Sequence, residues 1–395
     1  MFRVTPFSEL QARISHLQQL MAEDEVCAAL IVQRADMFYF SGTAQDGYLL
    51  VPPSGPPRLM IRKSLPRARR ESNLQFIEPL QGWDHLQSAI LQAVPPGGRA
   101  GRRMERKMGL ELDVLPANLY LHLGKLLPGV NLVDISPAIK QVRAVKSPYE
   151  IELIRKAADL SEQMFNYARE VIAEEITELQ LACRLEAFVR SRGHQGAVRL
   201  RNFNQELFYG HVLAGESGAV PTFFDGPTGG PGINPSYPLG AGNKPIAPGE
   251  PVLIDFVTVL EGYMVDQTRM YWLENLPDNL HRGYQTAREI NRCLIPLGAA
   301  GASSRELYLC ACALADQAGL GKYFMGHGSK VNFIGHGVGL ELDELPVIAR
   351  SVNFILEEGM VFTLEPKFIF PGQGAVGIED TFVVRPHGLE QLTRG

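Results

Sequence analysis

Four carboxylates stand inside apolar, strand-like runs of this chain, two in each of two segments that read as hairpins. Val252-Leu253-Ile254-Asp255-Phe256-Val257 and Tyr263-Met264-Val265-Asp266-Gln267-Thr268-Arg269 flank a Glu-Gly turn, the pattern of a β-hairpin. With the loop centred on Leu260 and Glu261, Asp255 and Asp266 are directly opposite, their Cβ atoms roughly 4.5–5.5 Å apart. The arithmetic recurs near the C-terminus, where residues 361–365 and 376–380 flank Pro371-Gly372-Gln373. A three-residue loop there sets Glu365 across from Glu379. Like charges so close inside an apolar sheet are destabilising unless a cation lies between them. Arg269 can neutralise one carboxylate, but not four.

His336 adds an imidazole. It sits in Ile334-Gly335-His336-Gly337-Val338-Gly339, where glycines let the backbone approach closely on both sides. Four carboxylates and one imidazole suit two divalent ions such as Mn²⁺, Co²⁺, Fe²⁺ or Zn²⁺. A structural zinc site would use thiolates instead, and the five cysteines are scattered and read as free thiols.

The 395 residues are enough for two to three domains and a large core. With 45% hydrophobic and 21% charged residues the balance is globular, not disordered. A net charge of −5, with only short basic runs at Arg67, Arg69, Arg70 and over residues 99–107, argues against nucleic acid as a partner. Residues 1–26 lack the apolar centre of a signal peptide, and no apolar run approaches a membrane span. The expectation is a soluble, cytoplasmic protein with no membrane partner.

Residues 1–143 alternate helical stripes (7–23, 81–93, 115–126) with short strands (28–32, 48–51, 59–61), which predicts an α/β domain. Ser147-Pro148-Tyr149-Glu150 combines a capping serine, a first-turn proline and a glutamate at the third helical position, so a long helix opens a second domain, residues 144–395. Thr177 with Gln180, and Ser303 with Glu306, open two more helices. Residues 210–249 hold ten glycines and seven prolines but also several aromatics, which predicts a packed loop system beside a pocket.

These words resemble the metallopeptidase family of methionine aminopeptidases, Xaa-Pro aminopeptidases and prolidases (M24), whose catalytic domain is the pita-bread fold. The matching segments are Asp255 and Asp266 ending in Asp266-Gln267-Thr268-Arg269, Gly335-His336-Gly337-Val338-Gly339, Gly359 to Pro366, and Ile378-Glu379-Asp380-Thr381. Val145-Lys146-Ser147-Pro148-Tyr149-Glu150-Ile151 resembles the entry helix of the two-domain aminopeptidase P, prolidase and creatinase branch. The resemblance implies a creatinase/prolidase-type N-terminal α/β domain followed by an α+β catalytic domain with antiparallel sheet. It also implies metal ligands Asp255, Asp266, His336, Glu365 and Glu379. A hydroxide bridging two ions would attack a scissile carbonyl, with Glu365 moving the proton, and the molecule would be a homodimer.

Departures accompany the match. Accessory positions that carry histidine in the peptidases of that branch are Thr222, Asn332 and Asp343 here, and an arginine position is Gly377. His211 and His327 lie in the right segments to substitute, and Asp343 could bind a charged substrate amine. The expected activity is hydrolysis of Xaa-Pro or other short peptides. A small non-peptide substrate is the alternative, and a non-catalytic binding scaffold a third reading.

Overall fold

The computed structural model describes residues 3–94 and 105–394, and residues 99–104 of the second basic run lie outside this set. The chain divides into two compact units, Met1–Arg143 and Ala144–Gly395.

In the first unit, helices α1 (Phe7–Glu23), α2 (Arg34–Ser41), α3 (Leu65–Glu71), α4 (Trp83–Ala93), α5 (Ala117–Leu126) and α6 (Ser136–Ala144, whose last residue falls in the second unit) alternate with six strands. These are β1 (Val26–Ile31), β2 (Gly47–Val51), β3 (Arg58–Ile61), β4 (Phe76–Pro79), β5 (Lys107–Leu110) and β6 (Asn131–Asp134), ordered β4-β3-β2-β1-β5-β6. The sheet is mixed: β1 runs antiparallel to β2 and parallel to β5. Ala28, Leu30, Leu50, Met60, Met108 and Leu110 bury one face against Leu86, Ile90 and Leu123 of the helices. Burial of Leu10, Ile14, Leu17 and Met21 on α1 follows the helical stripe read from the sequence, while β2 is buried along its whole length.

The second unit opens with α7 (Pro148–Val171) and α8 (Glu178–Arg190). Both helices start with the reciprocal capping box the sequence predicts. Ser147 Oγ accepts from the Glu150 N–H while Glu150 accepts from the Ser147 N–H, and Thr177 and Gln180 repeat the exchange. Three strands follow, β7 (Gly210–Ala214), β8 (Val252–Leu260) and β9 (Tyr263–Tyr271), in one antiparallel sheet. The first five residues of the stretch expected to be loop are thus a strand, because five backbone pairs to β8, from Gly210↔Phe256 to Ala214↔Val252, outweigh its glycine content.

Helices α9 (Asp278–Leu297) and α10 (Ser304–Gln317), the latter capped by Ser303, lead to the two-stranded ribbon β10 (Gly326–His327) and β11 (Ser329–Lys330). The strands β12 (Phe333–Gly337), β13 (Glu344–Ala349), β14 (Val361–Leu364), β15 (Lys367–Phe370), β16 (Gly374–Gly377), β17 (Asp380–Arg385) and β18 (Gly388–Gln391) complete the unit. Five of them form a sheet ordered β13-β12-β14-β17-β18, while β15 pairs with β16. Two apolar clusters hold the sheets: one around Phe165, Leu185 and Phe256, the other around Leu294, Phe362, Phe368 and Phe382. Among the described residues no helix is long and apolar enough to cross a membrane.

Candidate metal centre

The β8–β9 hairpin supplies the first pair of carboxylates. Its turn is the two residues Glu261 (φ 49°) and Gly262 (φ 91°), both in the left-handed region that tight hairpin turns need. The register is therefore Leu260↔Tyr263, Val257↔Asp266 and Asp255↔Thr268. This corrects the expectation that Asp255 faces Asp266 directly. The turn lies one residue further along, so the pairing shifts by two. A shift of two preserves the face, so the aspartates are diagonal neighbours on the same side of the sheet.

The second pair keeps the expected register. Phe370↔Gly374 closes a three-residue loop at 371–373, Lys367↔Gly377 ends the β15–β16 ladder, and Leu364↔Asp380 starts the β14–β17 ladder in the same count. Glu365 and Glu379 lie between the two ladders. Thr268 then ties the hairpins together: it exchanges backbone hydrogen bonds of 3.2 Å with Glu379, and its Oγ1 donates to Glu379 Oε2 at 2.9 Å. Since Thr268 is the partner of Asp255, one bridge gathers both pairs.

His336 enters from β12. The Glu365 N–H donates to Ile334 O at 2.8 Å, and the His336 N–H to Thr363 Oγ1 at 3.3 Å. A Cβ on Gly335 would lie 1.9 Å from Thr363 O, so only glycine permits this approach. With Nδ1 donating to Gly337 O at 3.3 Å, Nε2 turns its lone pair toward Asp266 Oδ2 (3.9 Å) and Glu365 Oε1 (3.8 Å). Ligand atoms of Asp266, His336 and Glu379 all lie within 4.8 Å of one another. Asp266 Oδ1 and Glu379 Oε1 are buried without a hydrogen-bond partner.

The structure thus brings together all five residues read as ligands, and adds a sixth that the sequence reading passed over. Lys367, only 1% exposed, places its Nζ 2.9 Å from each of Asp255 Oδ2, Glu365 Oε2 and Glu379 Oε2. The signal was present, since strand periodicity puts residue 367 on the same face as 365. Opposite it is Gly377, where a Cβ would meet Lys367 Cγ at 2.6 Å. Arg269 instead pairs with Asp380 at 2.6 Å and donates to Glu379 O, leaving the four carboxylates to other partners.

Charge is unevenly settled. Burial penalises ionised Asp255, but the Lys367 ammonium and then His211 overturn that and hold its carboxyl below the usual range. Burial, reinforced by Glu379 and Asp255, drives Asp266 well above it. Burial also pushes Glu379 up to about 8, against the lowering by the Lys367 ammonium and with Glu365 and Asp255 adding to the rise. Asp266 Oδ1 and Glu379 Oε1 are left with no cationic hydrogen-bond partner.

These groups line a cavity of about 210 Å³, which His211, Phe224, Asp225 and Asp343 also border. His211 is the strand partner of Asp255, is buried, has no partner for Nδ1, and is biased by burial toward the neutral imidazole. Asp343 accepts the N–H of Arg201 (3.0 Å) and of Asn202 (3.3 Å). Thr222 Oγ1 donates to Pro238 O at 2.5 Å. His327 is exposed on β10 and is not part of the cavity lining.

The chain is similar to known proteins over most of its length. The model of metallopeptidase family M24 matches residues 152–386, and that of the creatinase/prolidase N-terminal domain matches residues 13–145. The Xaa-Pro dipeptidase of Pyrococcus furiosus is 24% identical over 387 residues, 98% of either chain. That of Lactobacillus helveticus is 28% identical over 285 residues, 72% of this chain and 69% of its own. Among solved structures, the Xaa-Pro dipeptidase from Bacillus anthracis superposes with a TM-score of 0.82 at 23% identity, over 98% of both chains. The likeness shows the fold: an α/β N-terminal domain and a pita-bread domain, as the sequence resemblance implied.

Proposed function

The chain belongs to metallopeptidase family M24, and on that footing we propose that it is a divalent-metal-dependent hydrolase of Xaa-Pro dipeptides and similar short peptides. The observation that carries the reading is the convergence of Asp266, His336, Glu365 and Glu379, with two orphan carboxylate oxygens, at one small cavity. Relatives named Xaa-Pro dipeptidase cover nearly the whole chain. At about 210 Å³ the cavity is smaller than the roughly 300–1,000 Å³ that takes drug-sized ligands, which favours substrates of two or three residues.

A divalent ion bound here supplies Lewis-acid polarisation of a carbonyl and acidification of water. Manganese, cobalt, iron and zinc all suit the oxygen-rich donor set with its single imidazole. The protein's own groups do the rest. Lys367 pins Glu365 Oε2, so Oε1 is left facing the cavity to take a proton from the attacking water and pass it to the leaving nitrogen. His211, neutral and with Nδ1 unpartnered, borders the cavity beside Asp255 and orients the substrate. Asp343, held by two backbone N–H groups, presents negative charge to a free α-amine.

The rewritten accessory positions Thr222, Asn332, Asp343 and Gly377 favour, as second reading, a small non-peptide amide. The sequence resemblance further supports a homodimer working in the cytoplasm. A panel of Xaa-Pro dipeptides, Xaa-Pro tripeptides and non-prolyl controls, assayed with Mn²⁺, Co²⁺, Fe²⁺ and Zn²⁺, tests the proposal. Proline-dependent hydrolysis abolished by a chelator is expected. Hydrolysis that ignores proline, or persists after complete metal removal, rejects it.

A further inference from the structure

The donor set does not fit two divalent ions as it stands. The Lys367 ammonium has three N–H donors, and three carboxylate oxygens, from Asp255, Glu365 and Glu379, each lie at 2.9 Å. The tripod is complete. A metal ion ligated by these same oxygens would need to sit about 2.0–2.2 Å from them, in space that the ammonium fills. The lysine is built into the hairpin and is no surface side chain that has wandered in. It is 1% exposed, it follows Glu365 at strand spacing, and its stem lies over Gly377, where no Cβ could be accommodated. The resemblance placed an arginine at 377, so a cationic side chain has in effect crossed the strand pair and turned inward.

The ammonium does not touch Asp266 or the second oxygens of Glu365 and Glu379. Asp266 Oδ1 and Glu379 Oε1 are buried orphans, Asp266 Oδ2 and Glu365 Oε1 face His336 Nε2, and the three ligand groups of Asp266, His336 and Glu379 already cluster. With all four carboxylates ionised, as metal ligation requires of its ligands, one ammonium leaves three negative charges, of which one divalent ion cancels two.

We propose that Lys367 is a built-in replacement for one metal ion, so that the centre binds a single divalent ion between Asp266, His336 and Glu379, with Glu365 Oε1 beside it. The proposal rests on the reading of this site as a metal centre. Asp255 is then a partner of the ammonium and no ligand, and the chain occupies its two cation positions with one protein cation and one metal ion.

The test is metal content. Full-length protein is stripped with a chelator, saturated with Mn²⁺, freed of excess by gel filtration and measured by elemental analysis. One manganese per wild-type chain, one in Asp255→Asn and two in Lys367→Ala is the expected pattern. Two ions per wild-type chain overturns the proposal but leaves the metallohydrolase reading standing, whereas none overturns both. Loss of the ion in Asp255→Asn, or a single ion in a folded Lys367→Ala, also overturns it. Should Lys367→Ala not fold, the wild-type and Asp255→Asn counts decide alone.

Discussion

Glu365 has two oxygens with different tasks, and this division gives the most direct residue-scale prediction. Oε2 is fixed by Lys367 at 2.9 Å while Oε1 lies 3.8 Å from His336 Nε2. Glu365→Gln retains the shape but cannot take up a proton. Its kcat on the best dipeptide should fall by about 10²–10⁴, the usual worth of a positioned acid–base group, with circular dichroism unchanged. An unaltered kcat removes Glu365 from proton transfer. Asp343 differs in kind, because it lines the cavity wall held by the backbone N–H groups of Arg201 and Asn202. Asp343→Asn deletes the charge and retains an acceptor for only one of the two backbone N–H groups, because the amide nitrogen cannot accept. Loss of a charge-assisted contact of about 1.5–3 kcal/mol should raise KM on the order of 10–100-fold with kcat less affected. N-acetylated substrate would show no such difference between wild type and variant. Lys367 illustrates what the sequence concealed: counting acidic residues in apolar strands found every carboxylate, yet a lysine in Glu-Pro-Lys was read past. An inward lysine is rare enough that strand parity alone must be trusted to see it.

At the scale of elements, legibility followed how local the determining interaction is. Capping boxes at Ser147 and Thr177 involve four consecutive residues and appear as read. Glu365 and Glu379 kept their register because the loop at 371–373 has the expected length. Asp255 and Asp266 shifted by two because Glu261 adopts the left-handed conformation beside Gly262, something no apolar pattern announces. The join of the hairpins through Thr268 and Glu379, and the strand formed by residues 210–214, depend on partners 38 or more residues away (Ala214 to Val252 is the shortest) and were not visible. A testable element is the turn after α8. His194 is fully buried, its Nε2–H donates to Val257 O at 3.0 Å, and its Nδ1 accepts the Gly196 N–H at 2.9 Å. Both bonds need the neutral ring, and burial lowers the pKa from its ordinary 6.5. The folded state therefore binds fewer protons than the unfolded one below about pH 6.5, so stability is fully present above that value and declines as pH falls toward the folded pKa. Other groups titrate too, so the informative quantity is the difference in urea stability between wild type and His194→Gln. That difference should shrink between pH 7 and pH 5. A constant difference rules out the neutral-imidazole lock.

For the molecule as a whole, the fold places its carboxylates in a conflict that only bound cations relieve, so metal and stability must be linked. Each ion that binds the folded state alone adds RT ln(1 + [L]/Kd), which above saturation rises by about 1.4 kcal/mol per tenfold increase in free ion. The slope counts ions. With Lys367 serving as one cation, urea-unfolding free energy plotted against the logarithm of buffered free Mn²⁺ should climb at about 1.4 kcal/mol per decade. A slope of about 2.8 would require two ions. At a hundred times Kd the gain is about 2.7 kcal/mol, which for a unit of the size of residues 144–395 raises Tm by roughly 5–11 °C. His336→Ala removes the imidazole ligand and should flatten the dependence at concentrations that saturate wild type. The first unit carries none of the five ligands, so hydrogen exchange should slow on adding Mn²⁺ in β8, β9, β14 and β17, which frame the site. A metal-independent midpoint in wild type would mean that the ammonium and burial-raised carboxyl pKa values already balance the cluster, and that the ion contributes nothing to holding the two hairpins together.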